Sequence, residues 1–213
     1  MSVLDLSNDA GLVAMGLLTL NILLGLLLSV KYNPVRHWPH RRVNTVRLHN
    51  WTGYTALAVA FIHPIILLFD ASTKFGVMDL LWPPQAPKQP YQTTIGALAF
   101  WILAFVVTTS ILRQEWWILS RRTWKTLHLL TYVMFPLYAI HGLLSDPALK
   151  DNPIDWLDGE KVLVELCIIV VVVAIGFRVR YQLHKPPPRV HRPKAERKRR
   201  HRRSAQARQL PSV

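Results

Sequence analysis

Five stretches of the chain are apolar over about the length of a membrane-spanning helix, and they constrain the fold more than any other feature. The hydrocarbon core of a bilayer is about 30 Å thick, and roughly 20 mostly apolar residues cross it as an α-helix. The stretches are residues 11–30, 48–69, 91–112, 126–145 and 162–177. Five such segments in 213 residues are not compatible with a soluble fold. The sequence therefore predicts an all-α integral membrane protein, a bundle of five transmembrane helices.

The segments that connect these stretches alternate in charge, and the alternation predicts an orientation. Two connecting segments are basic: one carries Lys31, Arg36, Arg41, Arg42 and Arg47, and the other carries Arg113, Arg121, Arg122 and Lys125 against Glu115. The segments on the opposite side are acidic or balanced. Cytoplasmic loops of membrane proteins carry the excess of Lys and Arg. We therefore expect the N-terminus outside the cytoplasm and the C-terminus inside, in a bacterial inner membrane.

The net charge of +14 is concentrated at the C-terminal end of the chain. Thirteen Lys and Arg residues follow Phe177, with Glu196 as the one acid among them. We divide the chain into a membrane domain, residues 1–183, and a basic tail, residues 184–213, which is too polar to fold alone. Anionic lipid attracts basic residues next to a membrane, so lipid is the expected partner. Docking of an acidic electron-donor protein is the alternative, and no nucleic-acid partner is expected.

Four of the nine histidines lie inside apolar stretches. His49 and His63 belong to the second stretch, and His128 and His141 to the fourth. An ionisable side chain within a bilayer is costly and indicates a functional site. The ordinary alternative is a neutral histidine hydrogen-bonded to a neighbouring helix. That alternative explains a single such histidine well. It is a poor explanation for four histidines that are arranged as two on each of two helices.

The spacing of these histidines predicts two pairs at different depths. His49 and His63 are about 21 Å apart along a helix, and His128 and His141 about 20 Å, at ~1.5 Å per residue. Both helices run outward from the cytoplasmic side, so each contributes one histidine near either face. Facing imidazoles in a helix bundle suit bis-histidine ligation of haem. Two groups about 20 Å apart do not converge on a single zinc or copper ion.

The rotation around the fourth helix fits this arrangement less well. Fourteen residues at ~100° each bring His63 back to within about 40° of the face of His49. Thirteen residues leave His141 about 140° from the face of His128. Pro136 lies between the two and removes one backbone donor, so a kink or locally altered winding there could realign them.

Two segments around these histidines resemble the haem-binding helices of the ferric reductase-like transmembrane domain. They are Arg47-Leu-His-Asn-Trp-Thr-Gly-Tyr54 with Phe61-Ile-His63, and Trp124-Lys-Thr-Leu-His-Leu-Leu-Thr-Tyr132 with Ile140-His141-Gly142. That family includes NADPH oxidases, ferric reductases and the haem membrane subunit of the bacterial methionine sulfoxide repair system. The resemblance covers residues 11–183 and implies two b-type haems. By it, the axial ligands of the haem iron are His49 with His128 on the inner haem, and His63 with His141 on the outer haem.

Basic residues precede both histidine helices. They are Arg41, Arg42 and Arg47 ahead of the second stretch, and Arg121, Arg122 and Lys125 ahead of the fourth. Haem propionates are anions at the membrane boundary, where guanidinium groups hold them by charge-assisted hydrogen bonds. Arg47 and Arg122 are the candidates for this role. Fixing the topology of the chain is the simpler explanation for them, and the two roles are compatible.

The sequence predicts an electron-transfer subunit of an oxidoreductase that needs a partner. No GxGxxG motif is present for a dinucleotide, so we expect a quinol or a separate flavoprotein to donate electrons. These pass through both haems to an extracytoplasmic acceptor. One alternative is a single-haem, quinol-linked membrane subunit that serves a periplasmic oxidoreductase such as methionine sulfoxide reductase. Another is a non-redox membrane anchor whose basic tail binds lipid.

Overall fold

The computed structural model of the chain describes residues 2–30, 44–150 and 152–184. Within these ranges the chain is helical and contains no strand. In chain order the helices are α1 (Val3–Ser29), α2 (Thr45–Leu67), α3 (Val77–Leu81), α4 (Pro90–Glu115), α5 (Arg121–His128), α6 (Thr131–Leu144) and α7 (Gly159–Leu183). A short 3-10 turn, Pro83–Gln85, lies between α3 and α4. The predicted all-α fold is confirmed.

Several residues named from the sequence lie outside the described ranges. They are the basic tail beyond His184 and, in the first connecting segment, Lys31, Arg36, Arg41 and Arg42. The first compact unit of the chain ends at Val179, so the last turn of α7 lies outside it. The site described below lies within the first unit.

Four segments of the described chain are long and apolar enough to cross a membrane: α1, α4, α5 together with α6, and α7. They support an integral membrane protein. The remaining predicted span, residues 48–69, corresponds to α2, which has 23 residues. Polar residues, among them Asn50 and His63, interrupt its apolar sequence, and α2 is not among the four. That α2 also crosses the bilayer remains a prediction.

Polar caps extend the helices beyond their apolar parts. Ser2 and Asp5 form a reciprocal capping box at the start of α1: the amide of Asp5 donates to Ser2 Oγ at 3.0 Å, and the amide of Ser2 donates to the Asp5 carboxylate at 2.7 Å. At the start of α2, Asn44 Oδ1 accepts hydrogen bonds from the amides of Val46 and Arg47. Both helices therefore begin in polar sequence, ahead of the apolar stretch that predicts them.

The fourth apolar stretch forms two helices, with a break immediately after His128. Four backbone hydrogen bonds around the break join residues three apart: Leu129 N to Thr126 O at 3.2 Å, and Leu130 N to Leu127 O, Tyr132 N to Leu129 O and Val133 N to Leu130 O at 3.0 Å each. Such tight winding turns the chain by roughly 120° per residue instead of 100°. It adds rotation between His128 and His141 in the direction that reduces their offset. The altered winding lies at this break, and Pro136 lies within α6.

Small residues bring the helices close together. The main core cluster consists of Ala14, Leu18, Ala56, Ala60, Ala99, Leu103, Val107 and Met134, from α1, α2, α4 and α6. The alanines Ala14, Ala56 and Ala99 are fully buried, and small side chains of this kind allow close packing of membrane helices. A second cluster of Met15, Ala139, Val164 and Cys167 joins α7 to α1 and α6. The histidine helices are thus flanked by α1, α4 and α7.

Candidate functional site

The four membrane histidines form two pairs. The ring centres of His49 and His128 are 6.1 Å apart, with 66° between the ring planes. Those of His63 and His141 are 6.3 Å apart, with 70° between the planes. Each pair takes one ring from α2 and one from the α5–α6 segment. The structure brings the histidines together in the combinations that the sequence predicts.

The ring separations suit a metal ion held between two imidazoles. Two rings that ligate one metal from opposite sides, at roughly 2 Å from nitrogen to metal, have their centres about 6 Å apart. In the described chain there is no group of three or more His, Cys, Asp or Glu side chains that could hold a metal ion. Each pair therefore offers two ligands only. Haem, whose porphyrin supplies the four equatorial nitrogens, fits such a donor set.

Backbone carbonyls orient three of the four rings. His49 Nδ1 lies 3.1 Å from Asn21 O, His63 Nδ1 lies 2.6 Å from Ser7 O, and His141 Nδ1 lies 2.9 Å from Gln92 O. A carbonyl oxygen only accepts hydrogen bonds, so Nδ1 carries the proton and the lone pair of Nε2 is free. Metal-ligating histidines are oriented by this type of hydrogen bond. The three rings are thus fixed in the tautomer that binds a metal through Nε2.

The fourth ring, His128, is held differently. Its Nδ1 is buried and has no hydrogen-bond partner among the described residues. The Trp124 ring, one turn earlier on α5, lies 5.2 Å from it. Trp124 Nε1 in turn donates to Ser110 Oγ of α4 at 3.2 Å. Aromatic packing that is fixed to α4 therefore positions His128.

Glycines of the neighbouring helices make room for the three carbonyl-bound rings. A Cβ atom at Gly25 would lie 3.3 Å from the His49 ring, and one at Gly11 would lie 3.2 Å from the His63 ring. At Gly96 it would lie 2.7 Å from His141 Nδ1, closer than real Cβ contacts. These glycines are missing from the sequence prediction. The sequence does contain a signal for two of them. Gly11 and Gly25 on α1 have the same spacing as His49 and His63 on α2, which runs antiparallel to α1.

Asn21 makes a second set of contacts with the inner pair. Its side-chain Nδ2 donates to His49 O at 2.5 Å and to Thr52 Oγ1 at 2.9 Å. Its backbone carbonyl is the partner of His49 Nδ1. One residue of α1 thus holds both the ring and the backbone of His49. An asparagine in the middle of the apolar stretch of residues 11–30 is the sequence signal that could have revealed this role.

A cavity of about 490 Å³ surrounds the outer pair. Residues that line it include His63, His141, Gly11, Gly96, Phe100 and Tyr138. Cofactor sites are typically clefts of about 300–1,000 Å³ with mostly apolar walls and a few placed polar groups. The walls, the glycines and the two imidazoles together fit a flat, apolar, metal-containing cofactor.

Arg47 and Arg122 lie on the first turns of α2 and α5, at the same end of the bundle as the inner pair. Both side chains are exposed. Arg178 of α7, which the sequence does not single out, donates from Nη1 to the hydroxyl of Tyr132. A propionate-binding role for Arg47 and Arg122 remains a prediction.

Comparison with known proteins places the chain in a family. Neither the curated proteins nor the solved structures include a match to it. The family model described as "Ferric reductase like transmembrane component" matches residues 10–139, more than half of the chain. The matched region contains His49, His63 and His128, together with Gly11, Gly25 and the carbonyl of Asn21, whereas Ser7, the carbonyl partner of His63, lies just before it. It ends just before His141 and leaves out α7. The chain therefore belongs to the ferric reductase-like transmembrane component family.

Proposed function

We propose that the protein moves electrons across the membrane through two b-type haems, one held by each histidine pair. His49 and His128 hold the inner haem, and His63 and His141 hold the outer one. The observation that carries this proposal is the geometry of the pairs: rings 6.1 Å and 6.3 Å apart, with three of the four Nε2 atoms directed by hydrogen bonds at Nδ1. Bound haem supplies reversible one-electron exchange at its iron.

The chain itself fixes the ligands and excludes water. Carbonyls of α1 and α4 hold the rings, and the glycines of the same helices let the rings approach closely. The apolar cavity around the outer pair lowers the local polarity, which is one of the factors that set a haem potential. The two levels lie about 21 Å apart along α2. This arrangement gives two sites in series across one bundle.

The direction of transfer and the partners follow from the charge bias of the connecting segments. The inner pair lies next to the basic segments and therefore on the cytoplasmic side of a plasma membrane. A quinol or a separate flavoprotein donates electrons there, and an extracytoplasmic acceptor receives them from the outer pair. Residues 1–183 form the membrane domain. The basic tail, residues 184–213, contacts anionic lipid.

Haem content tests the proposal. We expect protein purified after expression with ample haem supply to show reducible b-type absorbance, with two haems per chain. A redox titration should resolve two components. One haem per chain would instead support the single-haem subunit that serves a periplasmic oxidoreductase. A colourless protein would refute the electron-transfer proposal and favour a membrane anchor.

Asn21→Leu tests the support of the inner pair. The substitution removes both side-chain hydrogen bonds, to His49 O and to Thr52 Oγ1, and leaves the backbone carbonyl in place. We expect inner-haem affinity to fall about 10- to 100-fold, as for loss of other outer-shell partners of a metal ligand. Haem titration of apoprotein, followed by absorbance, measures the change.

Asn50→Leu is the matched control for Asn21→Leu. The Asn50 amide donates to Gln114 of α4 at 2.7 Å, away from the His49 ring and its Nδ1 partner. We expect this variant to bind both haems as the wild type does. Equal haem affinity in the Asn21 variant and the Asn50 variant would contradict the assigned role.

A further inference from the structure

Lys161, in the first turn of α7, is a buried cation attached to the end of α6. Its side chain is 6% exposed. Its Nζ donates to Gly142 O at 2.9 Å, to Leu143 O at 3.1 Å and to Ser145 O. The last carbonyls of a helix have no partner within the helix. Lys161 supplies those partners from a different helix and so fixes the end of α6 against α7.

The three hydrogen bonds define the charge state of Lys161. An ammonium group has three N–H donors, whereas a neutral amine has two. Three carbonyl acceptors therefore require the protonated form. All three donors are used, which leaves none for an external ligand. Lys161 is a fixed positive charge, and it lines the same cavity as His63 and His141.

The segment that Lys161 holds is the segment that carries His141. The amide of Ser145 donates to His141 O at 2.9 Å, and Ser145 Oγ lies 3.3 Å from His141 Nδ1. Asp146 also borders the cavity. Its carboxylate accepts from three loop amides at 3.0 Å each: those of Ala148, Lys150 and Asn152. The carboxylate is thus held by the loop, while the ammonium is held by the end of α6.

We propose that Lys161 is a positioning residue for the outer haem. It fixes the helix end that orients His141, and its charge favours the reduced state of the outer centre. The inference rests on the proposed function and extends it to α7, a helix outside the region that the family model matches. A positive charge beside a haem stabilises ferrous relative to ferric iron, because the reduced centre carries one positive charge less and is repelled less.

Lys161→Met and Lys161→Arg separate the contributions of charge and geometry. Methionine keeps a long apolar side chain and removes the charge, whereas arginine keeps the charge. At a fixed applied potential, we expect the ferrous-to-ferric ratio of the outer centre in Lys161→Met to fall on the order of tenfold, because one positive charge is removed from the wall of the same cavity, where the effective dielectric constant is well below that of water. The low-spin EPR signal of that centre should also shift. Lys161→Arg should retain an outer potential close to that of the wild type.

Two controls accompany these variants. The inner centre of the same sample should keep its potential and EPR signal, which shows that the variant folds. Lys150→Met removes an exposed lysine from the neighbouring loop and should behave as the wild type.

The outcomes distinguish this inference from the proposed function. Haem-replete Lys161→Met protein with an unchanged outer centre overturns the inference alone. Loss of both centres in Lys161→Met and Lys161→Arg alike also overturns it, because Lys161 would then be needed only for folding. If Lys161→Met loses both centres, the Lys161→Arg variant decides. An Arg variant that keeps an intact inner centre and has an altered outer EPR signal supports the inference. Wild-type protein without haem overturns the proposed function, and this inference with it.

Discussion

His63→Ala should remove one of the two proposed haems and leave the other in place. His63 supplies one ring of the outer pair, 6.3 Å from the ring of His141. Alanine removes the axial ligand, and no other histidine of α2 lies at that depth. The inner pair is about 21 Å away along α2 and keeps both ligands. The haem-to-protein ratio, measured as the total haem extracted from the purified protein, should fall to half.

Two companion variants make the His63 result interpretable. His49→Ala should also halve the haem content, but it should remove the other component of the redox titration. His184→Ala changes an exposed histidine beyond the four and should retain both haems. Two haems in His63→Ala would show that the ligands are wrongly assigned.

Gly96→Ala should weaken haem binding at the proposed outer site without changing any proposed ligand. The new methyl group would lie 2.7 Å from His141 Nδ1. This nitrogen donates a hydrogen bond to Gln92 O at 2.9 Å. The imidazole must turn away, which breaks the hydrogen bond that fixes its tautomer. We expect at least about a tenfold loss of outer-haem affinity. Haem titration of the apoprotein and the redox titration both report it.

The chain provides matched controls for Gly96→Ala. A Cβ atom at Gly16 of α1 or at Gly176 of α7 meets nothing within 4 Å. Gly16→Ala and Gly176→Ala should bind two haems and should be slightly more stable, because alanine favours a helix over glycine by up to about 1 kcal/mol. Full outer-haem occupancy in Gly96→Ala would show that the ring does not depend on this close approach.

The membrane fold could be predicted because long apolar stretches have few alternatives. All five stretches form helices, and the family expected from the segments around the histidines is confirmed by the match over residues 10–139. The helix ends could not be predicted as well. Ser2 and Asn44 cap α1 and α2 in polar sequence, where hydropathy carries no signal.

The pairing of the histidines could be predicted from spacing, but their surroundings could not. Matched depths follow from two nearly equal separations on two parallel helices. The carbonyls of Ser7, Asn21 and Gln92 belong to other helices, and every residue has a carbonyl. Which carbonyl meets which ring depends on the register between helices, and a single sequence contains little direct information on that register.

The rotation of His141 shows a different limit. An ideal helix from His128 to His141 places the two rings on different faces, and Pro136 is the visible helix breaker between them. The structure instead changes its winding at Leu129 and Leu130, two residues with high helix propensity. Tertiary packing of the pairs against α1 and α4 outweighs local preference there.

The break between α5 and α6 has a consequence for how such a protein can evolve. His49 and His63 lie on one continuous helix, so a tilt of α2 moves a ring of both histidine pairs. His128 and His141 lie on two separate helices, and a tilt of α6 need not be transmitted to α5. A substitution in one short helix can therefore change the geometry of one pair and leave the other pair in place.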